Sequence, residues 1–204
     1  MQSEMSCYSI GHSTGTVDKF IQLLKKYNIK YLIDVRSIPY SKHAPQFNAE
    51  TLKLELKKNG IIYGYMGKEL GARYDDPRLL FEDGRVDFNK VRKTEFFKHG
   101  IDRIIHGIKN GYEIAIMCTE KDPFECHRFG LVSHELSRKG VMVYHILEDG
   151  SLINNKQLEE KLMLKYRPYY NQITLMEPEK TNEEYIEECY VEHNKQIGYI
   201  NEEG

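Results

Sequence analysis

The sequence predicts an α/β protein: a Rossmann-like, mostly parallel sheet of about five strands flanked by helices, with a C-terminal helical appendage. Three observations predict it. Short apolar runs recur at residues 7–10, 31–35, 61–66, 113–117 and 141–146. Stretches with helical periodicity separate them. Runs such as 31–35 are apolar at nearly every position, which suits strands covered on both faces.

Each element follows from local chemistry. Residues 7–10 form the first strand, and Gly11-His12-Ser13-Thr14-Gly15 a glycine-bounded turn. Thr16 caps a helix over 16–28, in which Val17, Phe20, Ile21 and Leu24 share one face and Asn28 suits the C-cap. A polar loop, 36–45, follows the second strand. Asn48 caps a helix over 49–59, with Leu52, Leu54 and Leu56 turned inward and Gly60 ending it. Residues 67–87, with Gly71, Pro77 and Gly84, read as a long polar loop of the kind that forms lids or binding loops. Residues 88–109 are helical with a break near Gly100. After the fourth strand, residues 118–128 lead into a helix over 129–139 that Gly140 stops. Glu148-Asp149-Gly150 marks the end of the body, and a helix over 155–166 stops before Pro168. The expected organisation is a Rossmann-like domain over 1–150 and an acidic, Tyr-rich C-terminal extension over 151–204.

Composition narrows the function classes. No apolar run approaches the ~18 residues of a membrane helix, and Met1 to Ser6 carries no basic or apolar leader pattern. A cytoplasmic location and no membrane partner are expected. Cys7, Cys118, Cys126 and Cys189 then read as free thiols, ligands or catalytic groups rather than a disulfide frame. Charge is uneven. From Glu148 onward there are 13 acidic and 6 basic residues, leaving 18 acidic and 23 basic in residues 1–147. A mildly basic body suits an anionic ligand without marking a nucleic-acid binder. The same asymmetry suggests an acidic tail lying in a basic cleft.

Ligands of open parallel sheets bind outside the carboxyl ends of the strands. Three polar segments lie at such ends. The first offers His12 and Ser13 in a turn able to cradle an anion. The second offers Arg36, Ser37 and Ser41, with Arg36 able either to pair with Asp34 or to hold a phosphate or carboxylate. The third, Cys118-Thr119-Glu120 through Cys126-His127-Arg128, is densest in chemistry. Cys126 at a helix start beside His127 and Arg128 favours thiolate. Glu120 or His127 suits an acid or base, and Arg128 an anion contact or a salt bridge across the loop. Cys118 ends an apolar strand and reads as buried. No cofactor and no metal are expected. A zinc site of Cys118, Cys126 and His127, with His12 or His43 as fourth ligand, is the rival, disfavoured because Cys126 and His127 are adjacent. A Cys118–Cys126 redox pair is a further alternative. P-loop, GxGxxG and GxSxG motifs are absent, and Phe124 stands where a tyrosine-phosphatase-type loop needs arginine.

Taken together, Ser9-Ile10-Gly11-His12-Ser13, Asp34 through Ser41 (DVRSIPYS), Phe47-Asn48, Leu70-Gly71 and CTE…CHR resemble the family called domain of unknown function 488, over residues 7–147. Ala72 stands where the family often has glycine. The resemblance implies a Rossmann-like domain whose polar residues collect at one site, and no assigned reaction. It supports Arg36, Ser37, Cys118, Glu120, Cys126, His127 and Arg128 as site residues. The resulting expectation is an enzyme acting on a phosphorylated, nucleotide or nucleic-acid substrate. Cys126, Glu120 and His127 would be catalytic, and His12, Ser13, Arg36, Ser37, Ser41, Arg128 and Cys118 would bind substrate. The alternatives are a non-catalytic nucleotide- or nucleic-acid-binding module and a metal-stabilised protein. Oligomeric state is not legible.

Overall fold

Six strands make up the sheet: β1 (Ser6–Gly11), β2 (Tyr31–Asp34), β3 (Ile62–Tyr65), β4 (Ile114–Cys118), β5 (Met142–Ile146) and β6 (Leu152–Asn154). The computed structural model describes residues 5–169 and 180–200. Residues 170–179 and 201–204 of the acidic extension lie outside the described residues, as do residues 1–4. The strand order is β3-β2-β4-β1-β5-β6. All pairings are parallel except β5 with β6. The sixth strand exceeds the expected five. It continues the sheet past Gly150, pairing Leu152 with Ile146.

The sheet is doubly wound. Helices α1 (Val17–Lys26) and α2 (Ala49–Lys58) cover one face, where Phe20, Leu24, Leu52 and Leu56 pack on Leu32, Ala115 and Met117. The chain then passes to the other face through α3 (Gly67–Leu70), α4 (Phe88–Arg92) and α5 (Glu95–Lys109). A π-helical segment (Arg128–Ser133) and α6 (His134–Arg138) follow β4 on that same face. There Leu70, Phe97, Ile101, Leu131 and Leu136 pack with Ile114 and Ile116. β4 therefore lies between β2 and β1, and its outgoing chain turns to the opposite face from theirs. Loops that part in this way open a crevice at the strand ends.

Some local expectations hold and others change. Thr16 caps α1, its hydroxyl accepting from Lys19 N, and Asn28 takes the left-handed conformation with φ 55°. Asn48 does not cap α2 with its side chain, because Oδ1 accepts from Ser41 N at 2.7 Å. Leu54 is exposed, since helical spacing turns it away from Leu52 and Leu56. The break in 88–109 falls at Lys93-Thr94, where Thr94 caps α5. Gly100 lies within α5, where a Cβ would sit 2.8 Å from Leu70 Cδ2. Residues 67–87 are no free lid: Leu70, Leu79 and Val86 are buried. The helix expected over 129–139 begins as the π-helical segment, with all six residues buried. Beyond β6, α7 (Asn155–Tyr166) packs against α8 (Asn182–Ile197) through Leu162, Met163, Cys189 and Tyr190. No helix among the described residues is long and apolar enough to cross a membrane.

Candidate functional site

β4 is buried at all five positions and delivers Cys118 to the crevice. The chain leaves through Thr119 and returns by a turn in which Asp122 Oδ1 accepts from Phe124 N at 2.8 Å and Pro123 O from Cys126 N at 3.2 Å. That return sets Cys126 and His127 beside Cys118. The sulfurs of Cys118 and Cys126 and one ring nitrogen of His127 all lie within 4.8 Å of one another. His127 Nδ1 is 3.5 Å from Cys118 Sγ and 3.9 Å from Cys126 Sγ. Its Nε2 lies 3.2 Å from the carbonyl oxygen of Val35, just past β2. A carbonyl can only accept, so Nε2 carries a proton, and Nδ1 is the ring atom that faces both sulfurs. Adjacency in sequence does not keep the Cys126 and His127 donors apart.

The two thiols are electrostatically unequal. Burial opposes ionisation of Cys126. Hydrogen bonding from Cys118, the positive Arg128 and the neighbouring His127 outweigh it and hold the Cys126 thiol well below the usual range. Hydrogen bonding to Cys126, followed by burial, drives Cys118 well above that range. Partial burial and the nearby Cys126 charge raise the Glu120 carboxyl.

Arg128 and Arg36 form the frame beneath the site. The Arg128 side chain is fully buried, with Nη1 donating to Glu120 O and Nη2 to Lys121 O at 3.0 Å. It clamps the loop by its carbonyls and closes no salt bridge among the described residues. Gly11 is needed for the same contact, because a Cβ there would lie 1.8 Å from Glu120 O. Arg36 forks onto Asp34, Nε to Oδ1 at 2.9 Å and Nη2 to Oδ2 at 2.6 Å. It also donates to Phe47 O at 2.8 Å and meets His12 Nε2 at 3.0 Å. His12 donates Nδ1–H to Ser13 O at 2.6 Å, and burial lowers its pKa to about 4. The second segment is likewise committed. Ser37 Oγ accepts from Ala72 N and Arg73 N, both at 3.0 Å. Ser41 Oγ accepts from His43 N and Ala44 N, both at 3.2 Å.

A pocket of about 210 Å³ opens above the two thiols. Arg36, Ser37, Cys118, Glu120, Cys126 and His127 line it. Ser13 and His12 face a separate recess of about 40 Å³, while Ser41 stays within its own turn and Arg128 lies beneath the loop. His43 is exposed and outside the thiol cluster. Sequence reasoning missed Arg73, Glu125, Ile197 and Tyr199, which also line the pocket. Arg73 follows closely on Leu70-Gly71, the one signal that could have found it. The tail reaches the pocket through apolar Ile197 and through Tyr199, whose ring lies 4.4 Å from the Arg73 guanidinium. Acidic Glu187 of α8 instead pairs with Arg92 and His134 away from the pocket, both at 2.9 Å.

Fold and site together define a doubly wound α/β protein with two thiols and an imidazole converging at the carboxyl end of its central strand. The chain belongs to the family described as domain of unknown function DUF488, which matches residues 16–134. The matched span holds Arg36, Ser37 and the whole Cys118–Arg128 segment, and leaves His12 and Ser13 outside it. No curated protein and no solved structure matches the chain.

Proposed function

We propose that the protein is an enzyme of hydrolysis or group transfer whose catalytic centre is this pocket. The observation that carries the reading is the convergence of Cys118, Cys126 and His127 at the pocket floor, with Glu120 on its wall. Reactive groups gathered in a concave site on a rigid sheet edge are what catalysis requires. Glu120 is the proton-transfer group. In the metal-free chain the attacking group is the Cys126 sulfur, with His127 Nδ1 beside it stabilising the thiolate and Val35 O orienting the ring.

The walls favour a substrate with two unlike ends. Glu120 and Glu125 both line the pocket, so a polyphosphate would meet repulsion near the floor. Arg36 is neutralised by Asp34, which leaves Arg73 as the exposed pocket guanidinium. Ile38 lines the same pocket at 54% exposure, and Tyr40 on the same loop is 61% exposed. These features support a nucleotide or nucleic-acid end, with a neutral ring-sized group entering the floor and a phosphate meeting Arg73. This assigns the anion contact to Arg73 and positioning roles to Arg36 and Arg128.

The test is a turnover screen of the purified chain with nucleotides, phosphomonoesters and short single-stranded oligonucleotides. Any turnover found should fall at least about a hundredfold in Glu120→Gln and likewise in Cys126→Ser. Full turnover in both variants would remove the pocket from consideration.

A further inference from the structure

We infer that the pocket floor is a mononuclear metal site for a zinc-class divalent ion, with Cys118 Sγ, Cys126 Sγ and His127 Nδ1 as its three protein ligands. The first argument is distance. Zinc binds thiolate at about 2.3 Å and imidazole at about 2.0–2.1 Å, so a tetrahedral site sets sulfur and nitrogen donors about 3.6 Å apart. The Cys118 and Cys126 sulfurs lie 3.5 and 3.9 Å from His127 Nδ1. Both sulfur–nitrogen separations already stand near the edge length of such a tetrahedron, and all three donors lie within 4.8 Å of one another.

The second argument is the tautomer. A metal-binding imidazole characteristically donates its remote N–H to a carbonyl or carboxylate, which aims the other nitrogen at the metal. His127 does this with Val35 O at 3.2 Å. Donor chemistry is the third argument. Two soft sulfurs and an imidazole select zinc-class ions over calcium or magnesium, which take oxygen.

Three protein ligands leave a fourth position, and the pocket lies over the floor. That is the plan of a catalytic site, since a structural zinc carries four protein ligands. Glu120 lines the pocket but is not a member of the donor set. A carboxylate so placed would serve as the base for a water held at that fourth position. Two cysteines and a histidine around zinc, with a glutamate that is no ligand, is the set by which nucleobase deaminases activate water. The inference rests on the enzymatic reading of the pocket and changes one role in it: with the ion bound, Cys126 is a ligand and water is the nucleophile.

The experiment strips the full-length chain with chelator and titrates it with Zn²⁺ and with Co²⁺ under reducing conditions. One equivalent of Co²⁺ should bind, with the visible bands of a tetrahedral ion and an ultraviolet sulfur-to-cobalt band. Cys118→Ser, Cys126→Ser and His127→Asn should each weaken binding at least about tenfold, with circular dichroism confirming the fold. Glu120→Gln should keep the ion and its spectrum unchanged. Absence of stoichiometric binding, or a spectrum that survives the Cys118→Ser/Cys126→Ser double variant, would overturn the inference. In that case, turnover lost in Cys126→Ser alone would still leave the enzyme reading standing. A bound ion with undiminished turnover in Glu120→Gln would do the reverse, upholding the metal site against the proposed proton-transfer role.

Discussion

His127 Nε2 lies 3.2 Å from the carbonyl oxygen of Val35, and this contact between β2's exit and the return of the β4 loop fixes what the ring can do. With its remote nitrogen occupied as a donor, Nδ1 is left facing the two sulfurs. Replacing His127 with Gln removes the imidazole that helps hold the Cys126 thiol low. In metal-free protein, the alkylation rate of Cys126, read by peptide mass spectrometry, should fall about tenfold, the effect of about one pKa unit. An unchanged rate would mean that the ring does not govern the thiol.

The β4 loop also rests on Gly11. An alanine Cβ there would sit 1.8 Å from Glu120 O and 3.1 Å from Arg128 Nη1, so the loop and its clamp must shift. Gly11→Ala should destabilise the fold by about 1–3 kcal/mol, the range for overpacking. Urea denaturation followed by circular dichroism measures it, and a variant as stable as the parent would contradict the close approach.

Asp34 and Arg36 are both nearly fully buried, and the fork between them is supported by Tyr63, whose hydroxyl donates to Asp34 Oδ2 at 2.8 Å. Removing one charge strands the other. Asp34→Asn should lower stability by about 3–5 kcal/mol, far more than substitution of the exposed Glu192–Lys195 pair, where a loss of about 0–1 kcal/mol is expected. Equal effects at the two sites, in the same denaturation assay, would refute the structural role of the fork.

Stability should fall on mild acidification. His145 is fully buried between Ser9, at 2.6 Å, and Asn155, at 3.3 Å, and burial, aided by nearby Arg128, lowers its pKa from 6.5 to about 3. Its folded pKa lies below its unfolded one. Between these values the unfolded chain binds a proton that the folded chain does not, so stability rises with pH there. The contribution is complete above pH 6.5 and declines as pH drops toward about 3. Denaturation free energies from pH 7 to 4 should show this decline, and His145→Gln should flatten it. A slope unaffected by that variant would place the titration elsewhere.

The fold was legible because five apolar runs of strand length alternate with helical periodicity. What escaped did so for local reasons. β6 is three residues long, too short to show alternation. Gly100 looked like a helix break, yet its missing Cβ serves the packing of Leu70, and the true break carries the quieter signal of Thr94. At the site, the chemistry-bearing segment could be picked out by residue type alone. Its geometry could not. Whether Cys118 and Cys126 meet depends on a turn set by Asp122 and Pro123, and positive charge says nothing about what a guanidinium holds. Arg128 and Arg36 looked like anion receptors, whereas carbonyl oxygens and Asp34 occupy them.

The central claim is that Cys118 and Cys126 converge at an accessible pocket floor, and a trivalent arsenical tests it most directly. Metal-free reduced protein treated with phenylarsine oxide should form one adduct per chain that resists a monothiol and is released by a dithiol. Cys118→Ser and Cys126→Ser should each abolish it, while Cys7→Ser and Cys189→Ser should not. Failure to form the adduct, or its persistence in both single pocket variants, would contradict the convergence on which the site rests.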